Sequence, residues 1–153
     1  MKDKTIDYVL RTTWQAVTKM YNEEAAKFDS TMATGFALLS IDPEEGTPST
    51  SLGPKMGMEA TSLSRTLKAM EDRGLITRKP NPEDGRGVLI HLTDFGKEKR
   101  EYSRDRVLKF NDAVQHKVSV EKMNIFFEVM ETINEMIANK KIYTNELVNK
   151  HYE

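Results

Sequence analysis

The sequence of 153 residues contains no cysteine. Disulfides, thiolate zinc sites and cysteine-based redox sensing are therefore excluded. Apolar runs are only a few residues long, so we expect no membrane-spanning helix. There is no secretory segment either, and we expect a cytoplasmic protein. With 38% hydrophobic and 31% charged residues, the composition is typical of a soluble globular domain with many solvated helix faces.

Side chains that support catalysis or metal binding are scattered along the chain. The three histidines, His91, His116 and His151, are far apart, and none has a second ligand at a metal-binding spacing. We find no glycine-rich phosphate loop after a strand and no nucleophile elbow. The sequence therefore predicts a protein that is not an enzyme and has no metal and no cofactor.

Charge is almost balanced over the whole chain, with 23 basic and 24 acidic side chains, but it is distributed unevenly. Residues 1–49 carry a net charge of −3, and residues 94–153 carry 0. Residues 50–93 have 7 basic and 5 acidic side chains and are the only net positive third. This bias is modest, so binding to a nucleic acid would need specific geometry and two copies of the chain.

The positive segment contains an amphipathic helix. Leu63, Leu67 and Met70 recur at i, i+4 and i+7, which places one apolar stripe toward a core. The opposite face carries hydrogen-bond donors and no acid: Thr61, Ser62, Arg65 and Lys68. Arg73 and Gly74 then end the helix, because glycine readily adopts the left-handed conformation. Taken alone, this donor face could equally be an ordinary solvated surface.

Two short strand-like runs follow this helix, from Leu75 to Lys79 and from Val88 to Leu92. Residues 80–87, between them, include two prolines and two glycines and are predicted to form a turn. A donor-faced helix followed by a hairpin with a charged tip indicates a winged helix. Such a module places its helix in the DNA major groove and its hairpin at the minor groove. His91, on the second run, is expected to face DNA or solvent.

Helical periodicity extends on both sides of this module. We predict five further helices, at residues 6–28, 31–41, 49–56, 94–117 and from 119 onward. The predicted fold is therefore mainly α with a small β-hairpin wing, and residues 49–93 form a winged helix-turn-helix.

We treat residues 1–153 as a single domain. Its terminal helices, within 1–30 and 118–153, carry apolar stripes longer than one winged helix would cover. They either pack on each other in one chain or interlock with the same helices of a second chain. We favour the second arrangement, which makes them dimerisation helices of a homodimer.

Between Ser49 and Thr93 a set of short motifs occurs in order and without gaps: Gly57–Met58, Ser62–Leu67, Met70–Glu71, Arg73–Ile76, Pro82–Asp84, Arg86 and Leu92–Thr93. These motifs resemble those of the MarR (multiple antibiotic resistance regulator) transcription factors. The chain departs from the family pattern at Gly85, where an arginine is frequent, and at Pro54. The resemblance implies a regulator that binds a pseudo-palindromic operator in double-stranded DNA as a homodimer, commonly as a ligand-responsive repressor.

Eight residues on the helix and the wing are candidate DNA contacts: Thr61, Ser62, Ser64, Arg65, Lys68, Arg78, Lys79 and Arg86. Arg65, one turn into the helix, is best placed for a bidentate contact to guanine. Lys68, Arg78 and Lys79 are expected to contact phosphates, and Arg86 to reach the minor groove. The family motif implies that Asp84 pairs with Arg86 and orients its guanidinium.

The resemblance also implies a small lipophilic or aromatic acid as effector, bound between the dimer helices and the winged helix. Large apolar residues lie on the elements that would border such a cleft: Trp14, Met32, Phe36 and Phe110. Core packing explains each of them at least as well. The lack of cysteine argues against peroxide sensing. The alternative function is a winged helix that mediates protein interaction or dimerisation and never binds DNA.

Overall fold

The computed structural model describes residues 4–144 and has six α-helices and one small antiparallel sheet in that range. The helices are α1 (Ile6–Ala26), α2 (Met32–Ser40), α3 (Ser49–Met56), α4 (Ala60–Asp72), α5 (Asp94–Lys117) and α6 (Val120–Ala138). The strands are β1 (Thr47–Pro48), β2 (Ile76–Asn81) and β3 (Asp84–Leu92), in the order β1-β3-β2. This arrangement confirms the predicted fold, mainly α with a hairpin wing.

The chain divides into two compact units, Met1–Arg106 and Val107–Glu153. The first unit contains α1 to α4, the sheet and the first half of α5, and the second contains the rest of α5 and α6. The single domain predicted for residues 1–153 stays a prediction. Residues 145–153, which include His151 and the end of the predicted C-terminal dimerisation region, lie outside the described residues.

Local capping signals place most helix ends where the sequence predicts them. The Thr5 hydroxyl accepts the Tyr8 N–H and begins α1, and Ser119 begins α6 in the same way. Gly57, with φ of 62°, ends α3 in the left-handed conformation. Pro48 is the N-cap residue of α3 and makes no side-chain capping bond, because proline has no side-chain acceptor; it also pairs with β3 in the sheet.

The core of the first unit lies between α2, α3, α4 and the sheet. Leu63, Leu67 and Met70 are buried there, which confirms the predicted inner face of α4. Leu38 of α2 and Ile90 of β3 complete this core with 2% and 0% exposure. Each such side chain stabilises the fold by roughly 1.5–3 kcal/mol through burial. The burial fixes the rotation of α4 and therefore decides which of its residues face outward.

The wing is longer and its turn shorter than the sequence predicts. Of residues 80–87, predicted as a turn, all but 82–83 belong to the two strands, with Pro80 opposite Val88 and Asn81 opposite Asp84. Proline is tolerated because β2 is an edge strand, and the register shifts directly after it. Only residues 82–83 separate the two strands. The charged tip therefore stands at the end of a hairpin that is interrupted by an irregularity at residues 85–87.

His91, predicted to face DNA or solvent, is partly covered by a neighbouring loop. Its ring lies beside Gly46 in the loop before β1, where an added Cβ would be 2.7 Å from the ring Cε1. Gly46 also has φ of 77°, so two constraints favour glycine there. The side chain is half-buried, because β1 pairs with β3 and brings this loop over the strand.

The start of α5 is fastened to the end of α4. The Thr93 hydroxyl donates to the Gly74 carbonyl and accepts the Gly96 N–H, and the Thr93 N–H donates to the Leu75 carbonyl. A Cβ on Gly96 would lie 2.0 Å from the Leu75 oxygen. The two backbones are therefore in direct contact at this junction.

The apolar faces of α1 and α6 remain partly exposed within the described chain. Neither α1 nor α6 has a buried residue. On α1, Ile6 and Trp14 are 64% and 54% exposed, and on α6, Ile125 and Ile137 are each 58% exposed. No helix within residues 4–144 has the length and apolar character needed to cross a membrane.

Candidate nucleic-acid interface

The outer face of α4 presents the predicted donors to solvent. Five of its residues are exposed: Thr61, Ser62, Ser64, Arg65 and Lys68. Lys68 lies 3.4 Å from the Asp72 carboxylate one turn later. Arg65 forms no ion pair within residues 4–144, so its guanidinium can make a bidentate contact. The sequence prediction and the structure agree on this face because the buried stripe fixes the helix rotation.

The N-terminus of α4 has free hydrogen-bonding capacity. Glu59 is the N-cap residue, but its side chain accepts no capping hydrogen bond. The first backbone N–H groups of an α-helix have no partner inside the helix. Thr61 and Ser62 add hydroxyl donors in the same turn. This end of the helix can therefore donate to phosphate oxygens or to base edges.

The two adjacent cations on β2, Arg78 and Lys79, lie on opposite faces of the sheet, because side chains alternate along a strand. Arg78 is paired across the ladder with the buried residue Ile90 and therefore faces α3 and α4. Its Nε atom is 3.3 Å from the Glu71 carboxylate of α4. Lys79 points away from the core. The sequence prediction treated the two as equivalent phosphate contacts and did not anticipate this separation.

Between α3, α4 and β2 is a groove of about 330 Å³. Its floor includes the apolar side chains Leu63 and Leu67, and its rim includes Thr50, Ser64 and Arg78. Sequence reasoning missed Thr50 as a candidate contact, since long-range packing places α3 beside α4 and Arg78 of β2. No local pattern around Thr50 carries that information.

The wing tip is held by side-chain bonds to its own backbone. Asp84 Oδ1 accepts the Arg86 N–H at 3.1 Å, and Asn81 Oδ1 accepts the Glu83 N–H at 3.0 Å. A Cβ on Gly87 would lie 3.1 Å from Asp84 Oδ2. No ion pair joins the Asp84 and Arg86 side chains within residues 4–144. In this structure Asp84 fixes the turn backbone and leaves the Arg86 guanidinium open to solvent.

The candidate effector residues occupy three helices. Met32 and Phe36 are half-buried on α2, and the Phe36 ring meets the Tyr21 ring edge-on at 5.7 Å. Burial raises the pKa of Tyr21 above its ordinary value. Trp14 is exposed on α1, whereas Phe110 belongs to the second unit.

Sequence reasoning missed a polar group next to α1. The Arg106 guanidinium lies 4.5 Å from the centre of the Tyr102 ring and 3.0 Å from the Glu24 carboxylate. The Tyr102 hydroxyl is buried and has no hydrogen-bond partner within the described chain. Elsewhere in residues 4–144, no three His, Asp or Glu side chains meet as a metal-ligand set.

A helix-turn-helix of α3 and α4, followed by the β2–β3 hairpin, defines the chain as a winged helix-turn-helix protein. The model of the MarR family matches residues 31–88. This match confirms the resemblance to the MarR family of transcriptional regulators that the motifs of the chain carry.

Two relatives illustrate the extent of the similarity. The organic hydroperoxide resistance transcriptional regulator of Bacillus subtilis (strain 168) is 35% identical over 89 residues, covering 58% of this chain and 60% of that protein. The match therefore spans less than two thirds of this relative's length. The HTH-type transcriptional regulator SarZ of Staphylococcus saprophyticus is 26% identical over 156 residues, covering 99% of this chain and 96% of that protein.

Solved structures of regulators share the fold. The MepR–DNA complex of S. aureus superposes with a TM-score of 0.75 at 18% identity, covering 90% of this chain and 99% of that chain. The PcaV regulator of Streptomyces coelicolor, in complex with its natural ligand, has a TM-score of 0.74 at 20% identity, covering 86% and 93%.

Proposed function

We propose that this protein is a sequence-specific, double-stranded DNA-binding transcriptional regulator. The observation that carries the proposal is the exposed outer face of α4, which has donors and no acid from Thr61 to Lys68 and an uncapped N-terminus. The basic wing beside it adds Lys79 and Arg86. The MepR complex contains DNA bound to the same fold. The protein acts in the cytoplasm as a regulator without a cofactor or an enzymatic activity.

The regulator binds as a homodimer. The exposed apolar stripes of α1 and α6 support this proposal, because a monomer would leave both in water. Two-fold symmetry with one α4 per subunit requires a pseudo-palindromic operator, with half-site centres about 34–36 Å apart. A winged helix used only for protein interaction would leave the donors of α4 and the wing without a role.

Seven of the eight candidate donors divide into a group that reads bases and a group that positions the protein on DNA. Arg65 reads a guanine in the major groove, supported by Thr61 and Ser62 at the helix N-terminus. Lys68, Arg78 and Lys79 contact phosphates, which sets register without reading sequence. Arg86 enters the minor groove from a tip whose backbone is held by Asp84.

The regulator is released from its operator by a small lipophilic or aromatic acid and therefore works as a repressor. Support comes from the apolar residues on α1 and α2, including Trp14, Met32 and Phe36, with Phe110 in the second unit. The PcaV structure contains a natural ligand on the same fold. An acid that binds the conformation unable to bind DNA more tightly than the DNA-binding conformation would weaken operator binding by ~1–3 kcal/mol. Operator affinity and melting temperature, measured with a panel of aromatic carboxylates, test this proposal. If none of these compounds changes either quantity, the proposal is contradicted.

Footprinting on the duplex upstream of the protein's own gene tests the proposed function. We expect a protected region with two-fold symmetry and an affinity that falls steeply with salt. The R65A variant, which keeps the fold but lacks the base-reading side chain, is the control for sequence specificity. Uniform weak protection, identical for both proteins, would favour the interaction module instead.

A further inference from the structure

An acid on the DNA-facing side of the molecule is left unexplained by the proposed function. Glu71, in the last turn of α4, is 41% exposed and pairs with Arg78, which is 37% exposed. Its negative charge repels phosphates and reduces affinity for DNA. An exposed ion pair contributes little to folding stability. Stability alone therefore does not account for Glu71.

The groove between α3, α4 and β2 gives this pair a role. Ala60, Ser64 and Leu67 line the groove from one side of α4, and Glu71 follows on that side because it comes four residues after Leu67. Arg78 reaches the groove from β2, since it shares a sheet face with the buried residue Ile76. The ion pair joins the two walls at one end of the groove.

The rim of the groove carries hydroxyl and guanidinium donors. Ser49 and Thr50 contribute hydroxyls from α3, and Ser64 contributes one from α4. The closest contact of Glu71 with Arg78 is at Nε, so the guanidinium, with five N–H donors, can still donate to a further acceptor. A set of donors around a shallow apolar floor fits a tetrahedral oxyanion better than it fits a flat base edge. On duplex DNA that oxyanion is a backbone phosphate.

We propose that this groove receives one phosphate of the DNA backbone, and that Glu71 is a positioning residue that holds Arg78 for it. This inference rests on the proposed function. Thr50 and Ser64 donate to the same phosphate, so Ser64 positions the protein and does not read bases. Holding Arg78 in place before DNA arrives reduces the side-chain entropy lost on binding. That gain outweighs the repulsion between Glu71 and DNA.

Two neighbouring acids of α4 provide a matched comparison. E71Q and D72N each remove one negative charge from the same exposed turn, but Asp72 pairs with Lys68 and not with Arg78. We expect D72N to bind duplex as tightly as the wild type or tighter, because the Lys68–Asp72 pair is 73% and 64% exposed and holds Lys68 only weakly. We expect E71Q to bind roughly three- to tenfold more weakly despite its more favourable charge, because Arg78 is no longer held.

The salt dependence of affinity separates positioning from a structural role. R78Q should reduce the slope of log K against log[salt] by about 0.9, the value for one lost phosphate contact. E71Q should reduce the slope by part of this amount. The E71Q/R78Q double variant should bind no more weakly than R78Q alone. A partly unfolded preparation lowers the active fraction but leaves the slope unchanged, so a folding defect cannot imitate this result.

The possible outcomes separate this inference from the proposed function. If E71Q binds duplex as tightly as D72N, with a wild-type slope, Glu71 does not position Arg78 and the inference is wrong. If R78Q keeps the wild-type slope, the groove holds no phosphate. If the wild type itself lacks salt-dependent duplex binding, the proposed function fails. If the E71Q/R78Q double variant binds duplex more weakly than R78Q alone, the inference is also overturned.

Discussion

Arg65 is the residue whose removal most directly separates reading of bases from contact with phosphates. It is exposed one turn into α4 and has no ion-pair partner in the part of the chain that the structure describes. We expect R65A to relax base preference at one position of each half-site by roughly 1–3 kcal/mol, with a smaller loss on random DNA. Competition binding against single-base operator variants measures this. K68A is the control and should weaken binding to all sequences similarly. If R65A also weakens binding to all sequences equally, Arg65 is a phosphate contact.

Arg86 tests the wing tip as a minor-groove contact. Its guanidinium is exposed at the end of the hairpin. We expect R86A to weaken binding most where A·T pairs flank the half-sites, because a narrow minor groove concentrates negative potential. Affinities for operators with A·T or G·C flanks measure the effect. An equal loss on both flanks would place Arg86 on the phosphate backbone.

The role of Asp84 follows from its bond to the Arg86 N–H. We expect D84N to bind like the wild type, since the asparagine oxygen can accept the same hydrogen bond and orient the turn. D84A should show a milder form of the R86A defect, because the tip backbone loses its constraint. Binding assays on the operators with A·T flanks distinguish the two variants. Tighter binding by both would mean that Asp84 acts only as an unfavourable charge.

At the scale of elements, the sequence predicts most where the signals are local. Helices α3 and α5 begin and end where predicted, since periodicity and neighbouring residues decide both limits. The wing is less predictable, because the pairing of Pro80 with Val88 depends on β2 being an edge strand. The strand β1 has only two residues and depends entirely on β3. Such contacts leave no periodic pattern in the sequence.

The candidate interface likewise has a part that the sequence predicts and a part that it does not. The donors of α4 were predictable because its buried stripe fixes the opposite face. The groove was not predictable, since Thr50 and Arg78 lie on separate elements that meet only in the folded chain. The bond from Asp84 to the backbone was also missed, because a D-x-R pattern fits an ion pair equally well.

The junction between α4 and α5 supplies a test of packing. In G96A the new methyl would lie 2.0 Å from the Leu75 oxygen, so one backbone must shift. Overpacking of this kind costs about 1–3 kcal/mol, and it opposes the gain of about 1 kcal/mol expected for alanine in a helix. We therefore expect a net loss of stability in thermal or urea unfolding.

The control for this substitution is G85A at the wing, where no atom lies within 4 Å of an added Cβ. Its stability should stay within about 0.5 kcal/mol of the wild type. If G96A is as stable as G85A, the contact between Gly96 and Leu75 is looser than the structure indicates.

At the scale of the whole molecule, the apolar stripe of α6 predicts dimerisation. Ile137 is 58% exposed on the described chain, so an aspartate there should cost a folded monomer little. In a dimer the same charge would be buried without a partner, at a cost of several kcal/mol. We expect I137D to sediment as a monomer at tens of micromolar while the wild type is a dimer. The control is N124D, on the polar side of α6, which should remain dimeric. A wild type that sediments as a monomer would contradict the proposed dimer.

Selection of the wild-type protein against a pool of random duplexes tests the central claim most directly, namely that this winged helix reads base sequence in double-stranded DNA. We predict enrichment of a pseudo-palindrome with half-site centres about one helical turn, 34–36 Å, apart. The same selection with R65A should lose preference at one position in each half-site. Failure to enrich any duplex at low salt, or enrichment of single strands only, would contradict the account.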